Sequence, residues 1–285
     1  MKKIFNILWI SLLFITCDKE SSEEINKPKL LFKSGFEQAV YIDTVIYPNV
    51  EDYRFIKGKD TQTGFSWPID ILGASESGIH FIADDNGQAV FARLVDTIGP
   101  HNQRSRVLYQ KESYKPQDDT QCPYEILDIT DGRKDLYIKY WIKIDSVSCV
   151  QPNMWRTFFE WKTKGYASGD GFRLISYIYT DQDGIPYWHW QGDQDPGHPI
   201  WEIDNRDITV PLNRWFLTEF FWHWSEGGDG MVLWKINGAT VGKHIGPTTR
   251  NHQPIDFIML FQLYGNVSPK WQWIDEVEIW TGLPE

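Results

Sequence analysis

Residues 135–145 read DLYIKYWIKID, and apolar side chains recur there at every second position. Leu136, Ile138, Tyr140, Ile142 and Ile144 fall on one face, and Tyr137, Lys139, Trp141 and Lys143 on the other. A period of two belongs to a strand whose faces meet different surroundings. Similar segments recur at 158–164, 172–180, 187–191, 215–224, 231–236, 256–264 and 271–280. Turn signals separate some of them, namely Asp181-Gln182-Asp183-Gly184, Asp229-Gly230 and Asn237-Gly238. After residue 30 no stretch sustains a 3.6-residue period, and neither a repeat nor an interdomain linker is evident. The pattern predicts an all-β sandwich forming one domain over residues 31–283.

The first seventeen residues, MKKIFNILWISLLFITC, break this pattern. Lys2 and Lys3 precede an apolar run over 4–15 that is too short for a stable membrane span, so residues 1–16 are expected to be a signal peptide. The ending Phe14-Ile15-Thr16-Cys17 resembles the lipobox of bacterial lipoproteins, which implies a lipid on Cys17. A plain secretory signal with a coincidental cysteine is the alternative. Residues 17–30 are polar, acidic and aperiodic, and are expected to be a flexible tether. Their acidic run resembles the surface-export signal of Bacteroidetes lipoproteins. That implies an outer-membrane lipid anchor at the cell surface, the periplasmic side being the alternative, with the lipid as the only membrane contact. Lipidation of Cys17 leaves Cys122 and Cys149, which suggest one disulfide in an oxidising compartment, or else two buried thiols.

Composition narrows the partner. The chain holds 15 Trp, 13 Tyr and 16 Phe, which suits a β-rich core and also sugar stacking on aromatic faces. Its net charge of −11 argues against nucleic acid but permits an acidic polysaccharide held in a local basic cleft. The expected assembly is a monomer.

Two segments carry a family resemblance. Residues 31–37 (LFKSGFE) open the domain as many secreted jelly rolls open, and residues 210–241 read VPLNRWFLTEFFWHWSEGGDGMVLWKINGATV. The order Pro, Arg-Trp, Trp-Ser, a Gly-bearing turn, Trp and Asn-Gly resembles jelly-roll polysaccharide lyases of the heparin lyase I and glucuronan lyase type. Over roughly residues 90–281 this implies a β-jelly roll, a concanavalin A-like sandwich of two antiparallel sheets with a concave groove. It also implies β-elimination on a uronate glycan. Non-catalytic lectin-like jelly rolls share the same Trp and Asn-Gly positions, so a surface glycan-binding protein is the alternative.

β-Elimination needs a group to neutralise the carboxylate, a base for the C5 proton and an acid for the departing O4. In the resembled lyases a Gln and a His two residues apart on one strand commonly supply neutraliser and base. Here Glu160 and Lys162 stand at those positions in FFEWKTKG. The resemblance to ulvan lyases of this fold implies Lys162 as base with Tyr264 as acid, and Gln262 beside Tyr264 on one face. Alternation also places Arg156 and Lys164 on the Glu160 face. His189 is the second candidate base, sharing a face with Tyr187 and Gln191. Arg104 and Arg106, in QRSRVLYQ, share a face and could bind the carboxylate; as alternatives, they are a solvated pair.

Other chemistry is weaker. Asp275, Glu276 and Glu278 could suggest a glycosidase, but they do not alternate as jelly-roll glucanase carboxylates do. Asp181 and Asp183 could hold a structural calcium or only make a turn, and no other cofactor or metal is implied. His223 alternates with Glu219 and Phe221, consistent with a structural role, and Trp188, Trp190, Trp222 and Trp224 are expected mostly in the core.

Overall fold

The structure, a computed structural model, describes residues 27–43, 52–67, 77–83, 90–112, 124–128, 133–194, 198–253, 255–267 and 269–284. Cys17, the leader, residues 17–26 of the tether and Cys122 lie outside them. Among the described residues there are eighteen strands and two short 3-10 turns. The strands are β1 (Leu30–Ser34), β2 (Tyr41–Asp43), β3 (Asp52–Lys59), β4 (Ser66–Trp67), β5 (Ser77–Ala83) and β6 (Val90–Ile98). Next come β7 (Arg104–Glu112), β8 (Tyr124–Asp128), β9 (Asp135–Ile144), β10 (Trp155–Thr163), β11 (Arg173–Thr180) and β12 (Pro186–Asp193). The last six are β13 (Pro199–Asn205), β14 (Trp215–His223), β15 (Met231–Ile236), β16 (Ala239–Ile245), β17 (Ile255–Leu260) and β18 (Lys270–Trp280).

They form two antiparallel sheets. The first runs β16-β15-β14-β9-β18-β7-β6, and β1 joins β18 beyond the bulge at Glu276. The second runs β13-β12-β11-β10-β17-β8-β5-β3-β2, with β4 on β3. This is the all-β jelly roll expected from the alternation.

Alternation decides which side chains meet between the sheets. Leu136, Ile138, Tyr140, Ile142 and Ile144 are all at most 1% exposed, as their spacing predicts. From the second sheet Phe159 and Trp161 point inward. Phe159 stacks on Phe220 with centroids 4.0 Å apart, and Trp161 lies 5.1 Å from Trp222. Burying rings of this size contributes roughly 1.5–3 kcal/mol each. This aromatic layer is the floor under β10.

One irregularity in β10 overturns an expectation from period two. Phe158 is a bulge residue between Thr157 and Phe159 in the pairing with β11. An extra residue reverses the parity of the strand on one side of it. Glu160 and Lys162 therefore face outward while Arg156 turns into the core, fully buried. There Arg156 donates to Gln272 Oε1 on the opposite sheet and to Ser148 Oγ. It is an inter-sheet tie, not a substrate-binding arginine.

Cys149 is also a correction. It is a buried free thiol rather than half of a bridge, set in a 3-10 turn beside Ser148 and packed into the core cluster.

Candidate functional site

The outward face of the second sheet is built by register. Glu160 on β10 stands opposite Ile175 on β11, and Lys162 stands opposite Arg173. On β12, Asp193 pairs with Arg173, Gln191 with Ile175, His189 with Tyr177 and Tyr187 with Tyr179. On β13, Glu202 and Asp204 stand opposite Gln191 and His189. Directly opposed residues of an antiparallel pair share a face, so these side chains share one surface.

Their polar atoms form a connected chain. Glu160 Oε1 meets Lys162 Nζ at 3.0 Å and Arg173 Nη1 at 3.3 Å, and Gln262 Nε2 donates to Glu160 Oε2 at 2.9 Å. Arg173 also reaches Asp193, with Nη2 to Oδ2 at 2.6 Å, and Gln191 Nε2 donates to the same oxygen at 2.7 Å. That bond orients the Gln191 amide, so its Oε1 faces His189 Nε2 at 3.0 Å. On the other side of the ring, His189 Nδ1 lies 2.7 Å from Asp204 Oδ1. Both ring nitrogens thus face acceptors. Glu160 and Asp193 are buried carboxylates, and pairing is what makes such burial tolerable.

Tyrosines and a tryptophan wall this network. Tyr166 covers both cations, its ring centroid 5.4 Å from Lys162 Nζ and 4.9 Å from the Arg173 guanidinium. Tyr179 stacks on His189 at 4.5 Å, and Tyr177 lies 5.7 Å from it. Burial raises the Tyr177 phenol well above the ordinary range, and the nearby Arg173 charge only partly opposes this. The Tyr179 phenol is pushed up to about 12, by burial and then by Tyr187. Both hydroxyls therefore stay protonated near neutrality. Burial works against the Arg173 charge, but the hydrogen bond it donates to Asp193 and the Glu160 charge outweigh it and hold the guanidinium protonated.

The strand expected over 256–264 ends at Leu260. Phe261 takes φ 56°, rare for a bulky residue, and its ring is fully buried. Past this kink Gln262 reaches Glu160. Tyr264 then lies beside the other end of β10, its carbonyl accepting from Thr157 N at 2.7 Å. The Tyr264 ring packs on Trp155 at 5.1 Å, and Tyr177 touches the same indole at 6.1 Å. Thr157 and Lys162 are five residues apart along β10, roughly 15 Å of strand. Lys162 and Tyr264 therefore start from opposite ends of the face, and Tyr177, opposite Thr157 on β11, starts from the Tyr264 end.

Arg104 and Arg106 are placed elsewhere, on β7 of the first sheet, opposite Ile98 and Asp96. The arginine beside Glu160 is Arg173. Alternation in FRLISYIYT already set Arg173, Tyr177 and Tyr179 apart from Leu174 and Ile178, but which face met the core needed the fold. Tyr187 holds the rim, its ring under Arg206 at 3.6 Å. Asp181 Oδ1 accepts from the amides of Asp183 and Ile185, so the carboxylate closes its own turn. Among the described residues no group of three His, Cys, Asp or Glu is arranged to hold a metal. A cleft of about 870 Å³ lies on the first sheet instead, where Lys29, Arg133, Phe221 and the His223–Asp135 pair line it.

Solved structures share this architecture. Alginate lyase Aly36B is 15% identical, with a TM-score of 0.50 over 61% of this chain and 80% of that chain. A double mutant of Aly36B in complex with an alginate tetrasaccharide is 16% identical, with the same TM-score and coverage. An endo-β-1,4-glucuronan lyase from the fungus Trichoderma reesei is 16% identical, with a TM-score of 0.48 over 72% of this chain and 94% of that chain. The likeness to Aly36B is one of fold, the jelly roll on which these polysaccharide lyases are built. No family model and no curated protein matches the chain.

Proposed function

We propose that the open face of the second sheet is the site of a polysaccharide lyase that cleaves a uronate-containing glycan by β-elimination. The observation that carries this is the chain of contacts from Gln262 through Glu160, Lys162, Arg173 and Asp193 to His189, walled by tyrosines on one sheet face. Arg173 supplies positive charge for a uronate carboxylate, and tyrosine rings supply apolar faces for pyranose C–H groups. In the elimination Lys162 parts from Glu160, passes its ammonium proton to solvent and, as a neutral amine, takes the C5 proton. The electron pair of that C–H bond forms the C4–C5 double bond, the C4–O4 bond breaks, and a tyrosine phenol protonates the departing O4. Tyr177 is the donor, its phenol protonated and within the field of the Arg173 and Glu160 charges, whereas Tyr264 starts from the Thr157 end and packs on Trp155.

One observation favours a second reading, a non-catalytic glycan-binding protein. Glu160 occupies Lys162 and both nitrogens of His189 face acceptors, so each candidate base is engaged before substrate arrives. Incubation with alginate, glucuronan, ulvan and glycosaminoglycans, followed by the ultraviolet absorbance of unsaturated uronates, separates the two. The lyase produces that absorbance with at least one polymer, and Lys162→Met lowers the rate by about 100-fold or more. Binding to a polymer with no absorbance change on any of them would leave the binding protein.

A further inference from the structure

The outer face of the first sheet carries a second row of aromatic and basic side chains, on strands that contribute nothing to the Glu160 network. Trp215 on β14 stands opposite Lys143 on β9, and Lys143 opposite Trp273 on β18. Trp273 in turn faces Tyr109 on β7, and Tyr109 faces Arg93 on β6. The row crosses five neighbouring strands, about 19 Å at the usual strand spacing. Trp215, Lys143, Trp273 and Tyr109 are half-buried and Arg93 is exposed, so the row meets solvent along its length.

Lys143 is the unusual member. Its Nζ lies 4.2 Å from the Trp273 ring centroid and 5.7 Å from that of Trp215. Among the described residues no carboxylate stands within ion-pair distance of it. The nearest acids in sequence and register are turned to other work. Asp145 is 2% exposed and accepts from Ser148 and the Trp271 amide. Asp275 is 1% exposed and accepts from Ser105 Oγ and the Glu276 amide. Burial pulls the Lys143 ammonium below the ordinary lysine range. In a chain of net charge −11, this ammonium lies between two indoles with, among the described residues, no acid beside it.

We infer that this row is a second binding strip for an anionic, uronate-bearing polysaccharide, on the sheet opposite the proposed lyase site. Ring surface of Trp215, Trp273 and Tyr109 meets pyranose C–H faces, and Lys143, with Arg93 at the end of the row, meets carboxylates. The inference rests on the proposed function for the class of polymer and not for catalysis. A strip of this kind retains a long chain without touching the bond being cut.

Electrophoretic retardation in gels containing alginate or glucuronan, with a neutral β-glucan gel as control, tests it. Lys143→Met keeps the aliphatic stem against both indoles and removes only the charge, and Trp273→Ala removes ring surface. The expected result is roughly tenfold weaker retention by the uronate polymers for Lys143→Met. Turnover of short oligouronates should be unchanged. If Trp273→Ala melts early, Lys143→Met decides alone. Unchanged retention in Lys143→Met, or no retention of the native protein by any polyuronate, overturns the strip. So does self-association of the native protein in sedimentation that Lys143→Met abolishes, because the row is then an interface between copies. A native protein that yields no unsaturated product but loses retention on Lys143→Met keeps the strip and loses the lyase; product with unaffected retention does the reverse.

Discussion

On the second sheet Lys162 and Arg173 share Glu160, and Arg173 also holds Asp193; on the first, Lys143 has an indole on either side and, among the described residues, no acid within ion-pair distance. The two faces belong to one sandwich, yet at these positions they settle charge differently, although elsewhere on the first face Glu278 pairs with Lys33 and Lys139. Glu160 and Asp193 are 3% and 0% exposed, and carboxylates so deep require cations and amides around them. The result is a network whose geometry is set before any ligand binds. Lys143 is only half withdrawn from water, so π faces suffice and its charge remains to be used. A rigid network suits positioned chemistry, and a caged single cation suits retention of a polymer.

The sharpest way to break this contrast is to remove the hub of the network. Arg173→Met leaves Glu160 with Lys162 and Gln262 and strips Asp193 of its cation. We expect a loss of about 3–5 kcal/mol in denaturant unfolding. A loss below about 1 kcal/mol would mean that the second face is no more preorganised than the first.

A smaller effect is expected at Asp275, two residues from Trp273 on the first-sheet face. Its carboxyl is pushed up to about 7, chiefly by burial, against the Ser105 hydrogen bond and the Glu276 amide, with the Glu276 and Glu37 charges adding to the rise. The native state therefore holds this proton more tightly than the unfolded chain, where aspartate titrates near 3.8. That contribution to stability is full below about pH 4 and is lost as pH rises through about 7. Asp275→Asn cannot ionise, so it should gain about 1–3 kcal/mol relative to the native protein at pH 8, and the difference should shrink toward pH 4. A difference independent of pH would show that Asp275 is charged throughout and is an acid close to the Lys143 row after all.

The smallest stability effect belongs to Lys162→Met. Its ammonium is partly exposed, and Glu160 keeps Arg173 and Gln262 when it goes, so unfolding should change by no more than about 1 kcal/mol. A loss as large as that of Arg173→Met would make Lys162 a structural member of the network and weaken its assignment as base.

Much of the architecture was written in local pattern. The spacing of Leu136 to Ile144 predicted a core face that is buried throughout, and Glu160 and Lys162 do point away from Phe159 and Trp161. Periodicity carries this information because a strand's side chains alternate wherever pairing is regular. It fails at an inserted residue: the bulge at Phe158 sends Arg156 into the core, and the left-handed kink at Phe261 ends β17 before Tyr264. Neither is marked by a glycine or proline at the position itself.

The sequence by itself determined the class of fold, the segments that become strands and the pairing of Glu160 with Lys162 on one face. Only the tertiary structure decided the partners. Arg173 stands beside Glu160, Asp193 beside Arg173 and Lys143 between two indoles because strand order and register bring together residues distant in the chain. No local spacing encodes that. Arg104 and Arg106, similar to Arg173 in the one-dimensional pattern, lie on the other sheet for the same reason. Side-chain chemistry is a property of the residue, and proximity is a property of the fold.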